Sequence, residues 1–366
     1  MSTTFLPCGL YHESYKEDQA WFQTPFIKGK MILLFLVMFV GLPLVLDDYT
    51  LSIANYAGYT ILGALGVQLL IGFCGQITLG HAAFIAVGAY TSTLLILQVP
   101  WPQFMLDLGL AYPISIIAAA FVAGFWSVLF GLPSAKVKGF YLILTTMAAQ
   151  FITVDFIITQ YVSQIGGRGQ AFSLPPGTIK LGPWVIDNSL RVYYFMIVLV
   201  VLCIAVVANL LRSKVGRAWV AIRDNDIAAE ALGINIVVYK LLAFFVAGFI
   251  GGIAGAFWIS SLAAISPEHF PWFLSLWLVG VILIGGAGSI HGVVFGSLFM
   301  VVVMELLSLG SMSMADIYPD LLMKFQFVKE AAFGLAICGF LIYEPYGLSY
   351  RWWQLKNYFN LWPFSY

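Results

Sequence analysis

Charged side chains are scarce in this chain. Only 9% of its 366 residues are Asp, Glu, Lys or Arg, and 61% are hydrophobic, whereas soluble domains carry about 25% charged residues. Because so few charges cannot cover the surface of a soluble protein of this size, the composition indicates that lipid is the solvent. The 17 basic and 17 acidic residues cancel, and nothing in this balance points to nucleic acid as a partner.

Motifs of enzymes and of nucleotide binding are also missing. The chain has no G-x-x-x-x-G-K-[ST] phosphate loop and therefore cannot bind ATP in the P-loop manner. It shows no nucleophile and base pair, and its four cysteines include no C-x-x-C spacing. We therefore expect free thiols, no metal, no cofactor and no enzymatic activity in this chain. Residues 1–30 are polar and lack the short apolar region of a signal peptide, so we expect no cleavage there.

Long apolar runs occupy most of the chain. A helix needs about 20 apolar residues to cross the hydrocarbon core of a membrane. We predict an all-α polytopic transmembrane helical bundle with about ten membrane segments and Gly-broken helices; the number could fall to eight, because the first and eighth segments are short. The segments are 31–46, 50–73, 80–98, 109–132, 139–160, 192–211, 241–264, 272–286, 290–309 and 326–343. The transmembrane domain then spans 31–345, between an N-terminal extension (1–30) and a C-terminal tail (346–366).

Lysine and arginine predict the orientation of these segments, because both are enriched in cytoplasmic loops. With ten crossings and the N-terminus inside, twelve of the 17 basic residues lie in cytoplasmic segments and five lie in outer ones. We therefore predict that both termini are cytoplasmic. The cytoplasmic set is Lys16, Lys28, Lys30, Lys136, Lys138, Arg212, Lys214, Arg217, Arg223, Lys240, Arg351 and Lys356, and the outer set is Arg168, Lys180, Arg191, Lys324 and Lys329. The longest outer connection, 161–191, is rich in Gly and Pro, which predicts irregular structure.

One charged stretch interrupts the apolar runs. Residues 213–235, called the island below, read SKVGRAWVAIRDNDIAAEALGIN and lie in the predicted cytoplasmic loop 212–240. Asp226 is a candidate helix start and Gly233 a candidate stop. The island could dock in a groove of a soluble partner, or it could lie on the lipid surface. Four residues would share one small apolar face if a single helix ran unbroken: Ala218, Ile222, Ala229 and Leu232.

Two glycine-rich stretches interrupt membrane segments. The first break is GQITLGH (75–81) and the second break is GGAGSIHG (285–292). Transporters place broken helices where freed backbone groups meet substrate, but a tight turn with a close helix contact would give the same pattern. His81 and His291 are predicted near the cytoplasmic ends, as structural residues in preference to proton carriers. Four candidate residues for the substrate pathway lie in these breaks: Gln76, Thr78, His81 and Ser289.

Polar and small residues mark faces of two other segments. In 139–160, Thr146, Gln150 and Thr153 form one polar stripe, which could make interhelical hydrogen bonds or line a substrate pathway. In 241–264, small residues recur at the spacing of a helix-packing face. They are Gly248, Gly251, Gly252 and Gly255.

Three stretches of the sequence resemble one family of membrane proteins. Residues 213–258, from SKVGRAW to GIAGAFW, are similar to the cytoplasmic loop and following helix of permeases of branched-chain amino-acid ABC importers, the LivH/LivM type and within it LivM. Residues 72–95 and 280–299 resemble the early and late Gly-rich segments of that family. The resemblance extends from about residue 50 to residue 345, and AAEALG within the island is a short variant of the EAA-x₃-G importer motif.

The resemblance implies a role for the island. In that family this loop docks on the ATPase subunit. It also implies a complex with two ATP-binding cassette subunits that bind the ATP, a second related permease and an extracytoplasmic substrate-binding protein, in a bacterial inner membrane, with leucine, isoleucine or valine as substrate. Nine island residues match the family's pattern: Gly216, Arg217, Arg223, Asp224, Asn225, Ala229, Glu230, Ala231 and Gly233.

A secondary transporter or channel that works alone is the alternative interpretation. Such a protein needs buried carboxylates near the middle of the membrane for ion coupling. Asp155 and Glu305 lie near the ends of their segments, and no predicted segment carries a central acid. The sequence therefore favours the ATP-driven importer.

Overall fold

Helices make up nearly all of the structure. The computed structural model describes residues 25–135, 137, 139–162, 171–175, 177–262, 264–314 and 319–361. The first 24 residues, with Cys8 and Lys16, lie outside the described residues, as do Lys136, Lys138, Arg168 and 362–366. In chain order the α-helices are α1 (Pro25–Leu36), α2 (Leu42–Val45), α3 (Asp48–Gln68), α4 (His81–Gln98), α5 (Gln103–Asp107), α6 (Ala111–Ala135), α7 (Phe140–Phe151), α8 (Ser189–Arg212), α9 (Lys214–Asp224), α10 (Asp226–Ala231), α11 (Ile236–Leu262), α12 (Trp272–Gly285), α13 (Ile290–Met314), α14 (Pro319–Tyr343) and α15 (Leu348–Leu361).

In the described part of the chain, three π-helical segments and one 3₁₀ turn adjoin these helices. Val37–Gly41 joins α1 to α2, Leu69–Phe73 continues α3, and Ile152–Val162 continues α7. The 3₁₀ turn Pro267–His269 precedes α12. With these extensions, nine described helices are long and apolar enough to cross a membrane, and ten if the bent pair Phe327–Tyr343 and Leu348–Phe359 is one span.

The helix bounds confirm the prediction of about ten membrane segments. The first predicted segment, 31–46, overlaps a helical run of 18 residues, Lys28–Val45, in which no residue is fully buried by the rest of the chain. The α-helical part of the eighth is short, as expected: the 14 residues of α12 reach about 21 Å. The preceding 3₁₀ turn extends this segment to Pro267–Gly285, which is long enough to be counted as a span.

Helix α11 forms the centre of the bundle. It packs against α4 and α6 most extensively and then against α3. A Cβ atom on Gly252 would lie 2.6 Å from the carbonyl oxygen of Ala119 in α6, and one on Gly255 would lie 2.7 Å from the nitrogen of Ala89 in α4. The predicted small-residue face is therefore confirmed, and it serves two neighbours: Gly248 and Gly252 meet α6, while Gly251 and Gly255 meet α4.

The connections gather at two opposite ends of the bundle. At one end β1 (Phe172–Ser173) pairs antiparallel with β4 (Ala264–Ile265), and β2 (Lys180–Leu181) pairs with β3 (Trp184–Val185). The described part of the predicted irregular loop 161–191 thus contains short strand pairs. It is tied to the helix ends by a hydrogen bond from Gly182 N to Gly109 O of 3.3 Å. The island, the start of the first break at Gly75 and the second break lie together at the other end; which end is cytoplasmic stays a prediction.

Candidate functional site

The island folds as two short helices, because a capping residue divides it. Ser213 Oγ accepts a hydrogen bond from Val215 N at 3.2 Å and starts α9. Asn225 has an extended backbone (φ −159°), ends α9 and starts α10, with its Oδ1 3.1 Å from Ala228 N. The predicted helix start at Asp226 is therefore wrong by one residue. Gly233 ends α10 with φ +84°, which confirms the predicted stop.

One face of the island packs on the membrane domain. Trp219 is fully buried, and its Nε1 donates a hydrogen bond to the carbonyl oxygen of Tyr239 at 2.8 Å. Ala229 is only 1% exposed, and a Cβ atom on Gly216 would collide with the backbone of Leu211. Gly216 and Ala229, which the resemblance assigned to ATPase contact, therefore face their own chain in this structure. Their small size permits close packing within the chain.

The other face carries exposed apolar side chains that sequence reasoning missed. Ile227 is 73% exposed and Leu232 is 81% exposed. In an unbroken helix Leu232 would share one face with Ala218 and Ile222, but the break at Asn225 changes the rotational phase of α10. The preference of Asn for helix N-caps was the available signal. Seven of the nine resemblance-derived residues are also exposed: Arg217, Arg223, Asp224, Asn225, Glu230, Ala231 and Gly233.

The first break lies deep in the bundle. The imidazole of His81 packs against Gly66 of α3 and Gly251 of α11. These residues are seven and fifteen positions from the adjacent ends of their helical runs at Phe73 and Ile236, or about 10 and 22 Å at 1.5 Å per residue. The prediction that His81 lies near a cytoplasmic end is therefore wrong. The chain re-enters the bundle after α3, so that α4 begins in the interior of the bundle, beside Gly66 and Gly251.

Three hydroxyl groups satisfy the start of α4. The first N–H groups of a helix have no intrahelical partner, and lipid offers none. Here Leu79 N donates to Thr146 Oγ1 at 3.1 Å, Gly80 N to Thr78 Oγ1 at 3.3 Å, and Ala82 N to Ser275 Oγ at 2.9 Å. Thr78 and Thr146 were expected from the sequence as pathway candidates, whereas Ser275 was missed. A lone serine in the apolar run WFLSLWLV was the available signal.

Hydrogen bonds from the α3 side chain Gln68 hold the backbone of the second break. Gln68 Nε2 donates to the carbonyl oxygens of Gly286 and Ser289 at 3.3 and 2.9 Å. Gly286 and Gly288 have φ of +111° and +85°, so glycine is required there. Ser289, predicted as a pathway residue, accepts a hydrogen bond from Gly292 N through Oγ at 3.3 Å and thus supports the start of α13.

The end of the α3 run touches the second break, and the histidines of the two breaks occupy different environments. A Cβ atom on Gly72 would lie 2.7 Å from the nitrogen of Gly288. His81 is fully buried, and neither of its nitrogens has a partner among the described residues. His291 is exposed in the first turn of α13, at the end of its span as predicted. The second break therefore contacts the end of the α3 run, while the first break continues into the interior to His81.

The residues of the polar stripe make hydrogen bonds to other parts of the chain. Gln150 Nε2 donates to the carbonyl oxygen of Phe270 at 3.0 Å, and Thr153 Oγ1 accepts from Trp126 Nε1 at 3.0 Å. All three stripe residues are buried. Among the described residues, however, the buried Gln76 Oε1 and Gln150 Oε1 have no partner. The stripe thus holds neighbouring parts of the chain together. A role in a substrate pathway stays a prediction, and the unpaired amide oxygens of Gln76 and Gln150 are the atoms available for it.

Two substitutions distinguish a structural role of the stripe from a role in the substrate pathway. We expect Thr146→Val to lower stability by about 1–3 kcal/mol, because it leaves the amide of Leu79 buried without an acceptor, and to leave uptake per folded molecule unchanged. We expect Gln150→Leu to lower uptake more than abundance, because it removes a polar side chain with a free acceptor. Uptake, membrane abundance and melting temperature in detergent are measured together. An equal fall of uptake and abundance in Gln150→Leu would show that the whole stripe is structural.

Comparison with known proteins finds relatives along most of the chain. The family model described as branched-chain amino acid transport system / permease component matches residues 49–329. The high-affinity branched-chain amino acid transport system permease proteins LivM of Escherichia coli and Salmonella typhimurium are 29% and 28% identical over 303 residues, 77% of this chain and 69% of each relative. The fructose import permease protein FrcC of Rhizobium meliloti is 30% identical over 121 residues, 31% of this chain and 33% of that protein. No solved structure matches the chain.

Proposed function

We propose that this chain, which belongs to the family of branched-chain amino acid transport permease components, is the membrane subunit of an ATP-driven importer and is coupled to its ATPase through the island. The exposed face of the island carries the proposal. Two large apolar side chains, Ile227 and Leu232, stand free on a short helix flanked by charges. An apolar centre with a polar rim is the usual arrangement of a protein contact site.

The proposed assembly follows from the family and from the missing phosphate loop. Two ATP-binding cassette subunits bind the nucleotide, a second related permease completes the membrane part, and an extracytoplasmic binding protein delivers the substrate. The island then faces the cytoplasm and the loop containing β2 and β3 faces outward, in a bacterial inner membrane. This orientation agrees with the distribution of lysine and arginine.

The proposed substrate is leucine, isoleucine or valine, and its path passes the first break. Unpaired polar atoms are costly inside a membrane protein. The unpaired groups of His81, Gln76 and Gln150 would be satisfied by water or by the polar end of an amino acid. Movement of the island by the ATPase would alter the break and open the path to one side at a time.

Copurification and uptake test this function together. We expect a tagged chain, solubilised from native membranes, to retain an ATP-binding cassette subunit and a second permease that mass spectrometry identifies. In liposomes with the binding protein, we expect ATP-dependent uptake of labelled leucine, isoleucine or valine, and none of fructose, the substrate named for FrcC. Uptake without any ATPase, driven by an ion gradient, would instead support a transporter that works alone.

A further inference from the structure

Arg223 connects the island to the membrane domain. It lies in the last turn of α9. Its side chain turns back towards the bundle, and Nη1 donates a hydrogen bond to the carbonyl oxygen of Gly72. Gly72 belongs to the π-helical turn Leu69–Phe73 that ends the α3 run. The carboxyl end of a helix favours a positive charge, and its last carbonyl groups need donors from outside the helix.

The same side chain reaches both breaks. A Cβ atom on Gly75 would lie 3.2 Å from Arg223 Cγ, and one on Gly288 would lie 2.7 Å from Nη1. Glycine at these positions therefore leaves the space that the arginine occupies. Arg223 thus lies where the island, the first break and the second break meet.

A different contact holds the island in place. The buried Trp219 is bonded to Tyr239 at the start of α11, which fixes α9 on the central helix. This contact involves neither break. If Arg223 is replaced, the hydrogen bond of Trp219 therefore still attaches the island to α11. In α9, Trp219 provides the attachment and Arg223 provides the contact with the breaks.

We propose that Arg223 transmits movement of the island to both breaks. The proposal rests on the proposed function, in which an ATPase moves the island. A guanidinium is planar and donates in fixed directions, so displacement of α9 displaces the carbonyl of Gly72 and the backbone at Gly288 together. Arg223 is then a positioning residue of the permease. The resemblance had placed it at the contact with the ATPase.

Arg223→Gln, measured in the complete reconstituted complex, tests this link. We expect the variant to retain the ATPase subunit at the wild-type level, and to take up about tenfold less leucine per ATP hydrolysed. Arg223→Lys keeps a cation that can donate to Gly72, and we expect it to recover part of the uptake. Lys214→Gln is the matched control, because Lys214 is an exposed basic residue in the first turn of α9.

A second measurement reports the first break itself. Cys74 is buried between Gly72 and Gly75. In a complex whose permease keeps only this cysteine, we expect its maleimide labelling to differ between the nucleotide-free and the vanadate-trapped states. We expect the difference to disappear in Arg223→Gln. A merely structural arginine would lower the yield of protein and would not remove this nucleotide dependence.

Three results overturn the link. They are unchanged uptake per ATP in Arg223→Gln, a labelling difference that survives the substitution, and the absence of any labelling difference in the wild type. Each leaves the proposed function standing when the ATPase still copurifies. Failure of the wild-type chain to retain an ATPase removes the proposed function, and the link with it. If the Gln variant does not reach the membrane, Arg223→Lys carries the same test: uptake per ATP equal to the wild type then overturns the link.

Discussion

Replacement of Gly233 by tryptophan is expected to abolish retention of the ATPase while the membrane helices stay folded. Gly233 ends α10 at φ +84°, a conformation that L residues rarely adopt. A Cβ atom there would meet no heavy atom of the chain within 4 Å, so the new side chain does not disturb the bundle. It would stand beside the exposed Leu232, in the space where the partner is proposed to sit. A loss of roughly thirtyfold in affinity corresponds to the approximately 2 kcal/mol of a contact hot spot.

The chain offers a matched control for this variant. Gly177 also has a positive φ (+79°) and an open environment, with no heavy atom within 4 Å of a Cβ atom. It lies in the loop at the opposite end of the bundle. We expect Gly177→Trp to retain the ATPase and substrate-stimulated ATP hydrolysis. If Gly233→Trp also retains both, the island is a surface helix and the coupling proposal loses its physical support.

The span bounds were largely readable from the sequence because lipid imposes a simple rule. An apolar run of sufficient length must form a helix to satisfy its backbone, and the predicted segment 80–98 accordingly appears as His81–Gln98. The glycine spacing of α11 was equally informative, since small residues permit close helix contact. The spacing could not show which helix each glycine contacts: Gly252 packs on α6 and Gly255 packs on α4.

The depth of the first break could not be predicted, because local sequence does not say in which direction a chain continues. Glycines at 75 and 80 predicted an interruption, but only packing against Gly66 and Gly251 places His81 in the interior. Likewise, the sequence marked Thr146 as a polar residue inside an apolar segment. It could not show the hydrogen bond that Thr146 accepts from Leu79 in the first break, because the two residues lie far apart in the chain.

The exposure of Leu232 has a local cause. Ala218, Ile222, Ala229 and Leu232 would share one face only if a single helix ran unbroken through Asn225. Asn225 instead accepts a hydrogen bond from Ala228 N and restarts the helix, as an N-cap residue does. The restart leaves Leu232 exposed and Ala229 buried. The N-cap at Asn225 thus decides which residues of the island are exposed.

The substitution Gly252→Leu is expected to abolish nearly all accumulation of folded protein in the membrane. A Cβ atom on Gly252 would lie 2.6 Å from the carbonyl oxygen of Ala119 and 2.8 Å from the Cα of Ala120. These are backbone atoms, so α6 and α11 must separate to admit any side chain. Overpacking commonly costs about 1–3 kcal/mol, and separation of the two central helices adds the loss of their mutual packing.

Gly339→Leu is the control for this substitution, because a Cβ atom on Gly339 in α14 would meet nothing within 4 Å. The measurement is the yield of monodisperse protein in size-exclusion chromatography after detergent extraction. We expect roughly a tenfold or greater loss for Gly252→Leu, a smaller loss for Gly252→Ala, which adds only the colliding Cβ, and a near-normal yield for Gly339→Leu. Equal yields for the Leu variants at 252 and 339 would contradict the close contact of α6 with α11. The position of the first break rests on the same central helix, because Gly251, the neighbour of Gly252, packs against His81.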